Sequence, residues 1–307
     1  MNSRSERTSR YSWQIDDRTV EITVSDTGGS GRAWLLLPAL STISSRREWQ
    51  PFANAIAQQH TSPHAASPPR LISIDWPGFG DSDRVRMPYS ADGLARCLVE
   101  LRRDVCPAHC GVIAAGHAAG IALLAAERFA LTFRDWVLVA PTWRGPFPTM
   151  AGRQSRAFPK LRALVEAPLL GPLLYRLNTT RALLAWMSRR HVDVAGPGLT
   201  PEGIAERQRL SRQRGARFAS AAFVTGGLDP YEDPDGWLQA ARQLETPLTV
   251  VLADQAPPKS LAQMQALAAV ADRVEQLPGR LGAHQECGRD LARLLVDRDG
   301  KGLGGDH

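Results

Sequence analysis

The sequence is poor in cysteine: four residues in 307, Cys97, Cys106, Cys110 and Cys287, at spacings that give no disulfide framework. Reduced thiols are expected, and a fold held by bridges is excluded. No run approaches the ~20 apolar residues that cross a bilayer, and residues 1–10 are polar and basic without the apolar core of a secretory leader. A cytoplasmic protein follows, or one at the periphery of a membrane. Cys106, His109 and Cys110 place three zinc-type ligands close together, but no second Cys/His pair stands where it could complete four. Neither a metal nor another cofactor is expected.

Acidic residues are scarce in one segment. Residues 143–217 contain fourteen Lys/Arg against four Asp/Glu, a net charge of +10, whereas the rest of the chain carries −4 of the total +6. The pI of about 9.5 therefore belongs to one stretch. A uniformly basic chain would suggest nucleic acid, but no helix-turn-helix, RNA-recognition or zinc module is visible. Nucleic acid is an unlikely partner.

Short apolar runs alternate with helical periodicities along the chain, as an α/β fold with a doubly wound, mostly parallel sheet requires. Residues 11–26 read as a hairpin, and Ala33 to Leu37 as a strand buried on both faces. A helix over 47–59 precedes a Pro/Ser/Ala-rich loop at 61–70. Strands follow at Leu71–Asp75 and Trp136–Ala140, with a Ser90-capped helix over 90–105 and, over 111–124, a buried strand, a sharp turn and a helix. From 143 to about 233 the rhythm breaks. It resumes with helices near 234–244 and 260–271, strands at 248–252 and 273–277, and a last helix over 285–296; residues 1–10 and 298–307 read as disordered tails.

Two motifs carry chemistry. Gly116-His117-Ala118-Ala119-Gly120 joins an apolar strand to an Ala/Leu-rich helix and resembles the G-x-S-x-G elbow of α/β-hydrolases, in which the central residue is strained and exposed. Asp75-Trp76-Pro77-Gly78-Phe79-Gly80-Asp81-Ser82 is similar to that family's D-x-P-G-x-G-x-S turn, where Asp75 and Asp81 serve the turn and not the reaction. The resemblance covers about residues 11–297. It implies a core of 11–142 and 234–297 and a helical cap of 143–233 inserted after the sixth strand.

The same resemblance assigns a site and exposes its losses. Ala118 occupies the nucleophile position, and a methyl group cannot attack a carbonyl. His284 matches the late general base. The acid position falls on Ala256, with Asp254 two residues earlier as the possible substitute. Leu40 and Ala119 are the expected backbone donors to an oxyanion, even though Pro38 and Ala39 stand where the family has His-Gly. His117 is expected to pack, and Trp143 and Arg144 to stand at the pocket mouth. These residues imply a capped pocket for a small hydrophobic carbonyl-type ligand, in a degenerate hydrolase or one using His284 in non-covalent chemistry. The alternative is a protein that binds an anionic membrane surface through its basic, apolar cap.

Overall fold

A computed structural model describes residues 6–60 and 67–296, built around one eight-stranded sheet in the order β1-β2-β4-β3-β5-β6-β7-β8. The strands are β1 Arg7–Ile15, β2 Arg18–Asp26, β3 Ala33–Leu37, β4 Arg70–Ile74, β5 Gly111–Ala115, β6 Trp136–Val139, β7 Leu248–Ala253 and β8 Arg273–Leu277. Strands β3 to β8 run parallel, while β1 and β2 form an antiparallel edge. This is the architecture that the alternating pattern predicts. The N-terminal segment differs: Arg7 to Arg10 pair with Asp26 to Thr23 and extend β1, so ladder hydrogen bonds order residues whose polarity alone reads as a tail. The expectations for residues 1–5, 61–66 and 298–307 lie outside the described residues.

The central strands are short, apolar and buried on both faces because helices cover each side. Successive residues point to opposite faces, and the core divides accordingly. Trp34, Leu36, Ile113, Val137, Val139 and Val251 pack in one cluster. Leu35, Leu37, Val112, Leu138 and Val250 pack in the other.

Helices α1 Gln50–Gln59, α2 Ala91–Val105 and α3 Ala118–Phe129 connect the first strands, and a short 3₁₀ turn, Arg46–Trp49, precedes α1. Between β6 and β7 the chain runs through α4 Pro146–Ala151, α5 Ala157–Glu166, α6 Leu170–Asn178, α7 Arg181–Met187, a wide helical turn Ser188–Val192, α8 Pro201–Ser211, α9 Ala216–Val224 and α10 Pro234–Arg242. The core closes with α11 Pro258–Ala268, the single turn α12 Ala283–Glu286 and α13 Gly288–Val296.

His117 fastens these inserted helices to the sheet. Its Nε2 lies 2.7 Å from the Leu228 carbonyl oxygen and its ring meets Phe223 edge-on at 5.4 Å. Asp229 stands behind it, 3.9 Å away, and accepts from the Gly145 backbone and from Gln154. Burial pushes the imidazole below its ordinary pKa of 6.5, against the pull of Asp229 and the Leu228 hydrogen bond. Burial also raises the Asp229 carboxyl, a contribution of opposite sign that acts at lower pH. Between its folded and unfolded pKa values the unfolded chain takes up a proton that buried His117 resists, so the stability from His117 is full above pH 6.5 and falls as pH drops. The urea midpoint should therefore fall between about pH 7.5 and about pH 5.5, and His117→Gln should flatten that slope. Equal slopes for the two proteins would place the pH dependence elsewhere.

Candidate functional site

The turn from β5 into α3 does not have the geometry that its motif predicts. The left-handed residue is Gly116, at φ +53°, while His117 is already helical at φ −68° and Ala118 opens α3 without positive φ. Glycine adopts that conformation freely, whereas an L-residue pays roughly 1–2 kcal/mol. Ala118 is fully buried, neither strained nor exposed. A Cβ at Gly116 would sit 3.2 Å from the Ala39 Cβ, which places the turn directly against the loop leaving β3.

The backbone donors are redistributed as well. The Ala119 N–H, expected to face an oxyanion, donates to the Gly116 carbonyl at 3.2 Å and is already used. Among the described residues, the N–H groups of Leu40, His117 and Ala118 have no acceptor. Such orphans belong to a helix start and its neighbouring loop, and they suit a ligand oxygen.

His284 lies in α12, at the end of the sheet where β5 and β3 also finish, and is almost fully buried. Its partner is not Asp254. The Asp254 side chain is exposed and its Oδ1 accepts from the Gly279 backbone N–H at 3.0 Å, so it ties the loop after β8 to the end of β7. The acid beside His284 is Glu48, with Oε2 2.9 Å from Nε2. The other carboxylate oxygen, Oε1, accepts from the Ser45 N–H at 3.3 Å, a capping-box contact that holds the carboxylate at both ends. Trp49 stacks obliquely on the imidazole, its ring centroid 5.1 Å away. With Nε2–H donating to Glu48, Nδ1 is the basic nitrogen, and it has no protein partner.

Sequence reading missed Glu48 because its visible signal, Ser45-x-x-Glu48 ahead of a helix, is that of a cap. Its neighbours explain its placement. Asp75 is wholly buried and accepts from the Arg46 backbone at 2.6 Å, from Arg46 Nη1 at 2.5 Å and from the Asp81 backbone at 2.8 Å. Arg46 also reaches Asp81 at 3.0 Å, and Arg47 joins Asp81 to Glu206 of α8. The family-like turn after β4 thus fixes the 46–49 segment from behind. Its acids do serve structure, but by holding another segment and not only their own turn.

The inserted helices clamp the other partner. The backbone of Gly282 donates to Val192 O at 2.8 Å and that of Leu281 to His191 O at 3.3 Å, while Glu286 accepts from the backbones of Val194 and Ala195. Buried Arg207 of α8 pairs with Asp193 at 2.5 Å and reaches Gln285 at 3.3 Å. Trp143 and Arg144, expected at a pocket mouth, are engaged within the protein. Trp143 is buried against Trp237, and Arg144 lies over the Trp143 ring and donates to the carbonyls of Gly152 and Glu232. Those donors are committed to backbone and not offered to a ligand carboxylate.

A buried His–Glu pair at the carboxyl end of a parallel sheet, in a chain whose β5 passes through a glycine turn into α3, defines a class of fold that comparison with known proteins identifies. The chain belongs to the alpha/beta hydrolase family, whose family model matches residues 28–291. Similar solved structures include Cfl2 from Burkholderia cenocepacia (21% identity, 94% of each chain, TM-score 0.68) and a bromoperoxidase from Bacillus anthracis (13%, 94% of this chain and 98% of that one, 0.66). A third is a putative epoxide hydrolase from Pseudomonas aeruginosa (17%, 94% of each, 0.66). At these identities the likeness is one of fold. No curated protein matches.

Two expected outcomes test this geometry. Removing Asp75 would leave Arg46 with Asp81 as its one remaining acid and strip the Arg46 and Asp81 backbone N–H groups of their acceptor; breaking a buried pair outright costs about 3–5 kcal/mol, and Asp75→Ala should lower the urea unfolding free energy by up to that amount. In ¹⁵N-detected NMR the His284 proton should sit on Nε2, and Glu48→Ala should shift the ring nitrogens while Asp254→Ala leaves them in place. The reverse pattern would restore Asp254 as the acid.

Proposed function

We propose that this chain uses an α/β-hydrolase scaffold without acyl-enzyme chemistry, holding a small hydrophobic carbonyl-type ligand beside His284, which acts as an oriented base. The observation that carries the reading is the buried Nε2–Oε2 contact of 2.9 Å between His284 and Glu48, with no hydroxyl, thiol or carboxylate among Gly116, His117 and Ala118. Glu48 fixes the tautomer that leaves Nδ1 basic, as a carboxylate orients a catalytic imidazole elsewhere. The unused N–H groups of Leu40, His117 and Ala118 are suited to a carbonyl or enolate oxygen. General-base assistance of this kind contributes about 10²–10⁴-fold, and no covalent intermediate is required.

The thiols are not placed as replacement nucleophiles: a hydrogen bond from the Cys106 thiol holds buried Cys110 below its ordinary value, but both lie ahead of β5, at the opposite end of that strand from the elbow. Cys287 donates to the Pro278 carbonyl and burial lifts its pKa to about 11, while burial also holds the Cys97 thiol well above its ordinary value.

A fluorophosphonate probe should therefore leave the protein unlabelled, and p-nitrophenyl esters should give no acyl-enzyme burst. Slow steady-state turnover of those esters should fall by about 10²-fold in His284→Gln and by a smaller factor in Glu48→Gln. Ala118→Ser should remain unlabelled, because a serine there would occupy a buried helical position and not a strained elbow. Probe attachment to the native chain, or strong labelling of Ala118→Ser, would overturn the non-covalent reading.

A further inference from the structure

The inserted helices present a face that the rest of the molecule does not cover. Helix α5 buries none of its side chains and α6 buries only Gly171, although both are rich in leucine. Leu161 and Leu164 on α5, with Leu169, Leu170, Leu173 and Leu177 on and before α6, stand exposed, Leu169 to 90%. The spacing of Leu170, Leu173 and Leu177 sets them along one side of the helix. Helices of nine and ten residues have little stability of their own, so this apolar exposure is not explained by their folding.

Charge identifies what the face suits. Between residues 143 and 192 there are nine Lys/Arg and one acid, Glu166, which Arg162 engages at 2.7 Å. Lys160, Arg176, Arg189 and Arg190 are exposed, and among the described residues none has a carboxylate partner. A second copy of this chain would bring the same positive face against itself, which is repulsive. Lys160 stands on α5 and Arg176 on α6 among the leucines, and Arg189 and Arg190 follow α7 in the chain; exposed leucines accompanied by unpaired cations are the arrangement that seats on an anionic bilayer, leucines among the acyl chains and guanidinium groups at the headgroups. No helix among the described residues is long and apolar enough to cross a membrane, so the contact is peripheral.

We propose that the α5–α6 face, with α7 beside it in the chain, docks this protein onto anionic phospholipid membranes. The contact lies on the inserted segment and is independent of the His284–Glu48 reading. It supplies a place from which an apolar ligand could be drawn.

The test uses the full chain and vesicles of phosphatidylcholine alone or with about 30 mol % phosphatidylglycerol. Partitioning should be at least about tenfold stronger on the anionic vesicles and should weaken as salt shortens the Debye length. The triple change Arg176→Gln, Arg189→Gln, Arg190→Gln should remove about tenfold or more of that binding, since each cation contributes up to about fivefold. Leu169→Ser with Leu173→Ser should weaken it separately, because both side chains are exposed and the fold does not need them. Trp186 is 54% exposed while the other seven tryptophans are buried, so brominated lipid should quench Trp186 selectively and not the Trp186→Phe protein. Equal partitioning on neutral and anionic vesicles would overturn the proposal. So would full binding by the leucine variant, or salt-sensitive capture by an acidic protein with no affinity for lipid.

Discussion

The site depends on one buried ion pair, Asp75 with Arg46. Asp75 directly follows β4 and is wholly buried, where an unpaired charge would be costly, and burial pushes its carboxyl pKa up while the guanidinium opposes that rise. Three donors converge on it, two of them from Arg46. The pair therefore fixes not only a side chain but the backbone of the 46–49 turn. Glu48 and Trp49, the two residues that define the surroundings of His284, follow within three positions. A turn that resembles a family signature is thus also the anchor of an acid from a different part of the chain.

From that anchor the constraint spreads into the inserted helices. Arg47 and Arg209 share Asp81 and Glu206, which fastens α8 to the Glu48 segment. The same helix sends Arg207 to Asp193 and Gln285, beside His284. The acid and the base are consequently held from the same side, one through surface ion pairs and the other through a buried one. Exposed pairs contribute little individually. A network that shares two acids among three arginines restrains geometry more than it adds stability, and orientation is what an imidazole–carboxylate pair requires.

The elbow carries its left-handed conformation on a glycine. Its strand, turn and helix remain, yet the left-handed conformation sits at Gly116, where it costs nothing, and Ala118 relaxes into α3. Strain at a functional turn is maintained when chemistry uses it. Without a side chain to present, the turn still leaves N–H groups at the start of α3, and these depend on backbone alone.

The sequence by itself determined the alternation of strands and helices, the buried parallel core and the family resemblance, because apolar periodicity and glycine-punctuated turns are local properties. It also singled out His284 as a candidate and displayed the charge asymmetry of the segment between β6 and β7. Tertiary structure decided the partners. Asp254 lies near His284 in sequence but spends its carboxylate on Gly279, whereas Glu48, 236 residues away, reaches the imidazole. The Ser45–Glu48 spacing discloses a helix cap, and nothing local shows that one oxygen of that carboxylate remains for a distant base. Likewise the Ala119 N–H is consumed by the turn, and Arg144 by backbone carbonyls, outcomes set by hydrogen-bond competition within the folded chain. A residue's type is written in the sequence, but which groups compete for its hydrogen bonds is fixed only when strands from distant parts of the chain are brought side by side.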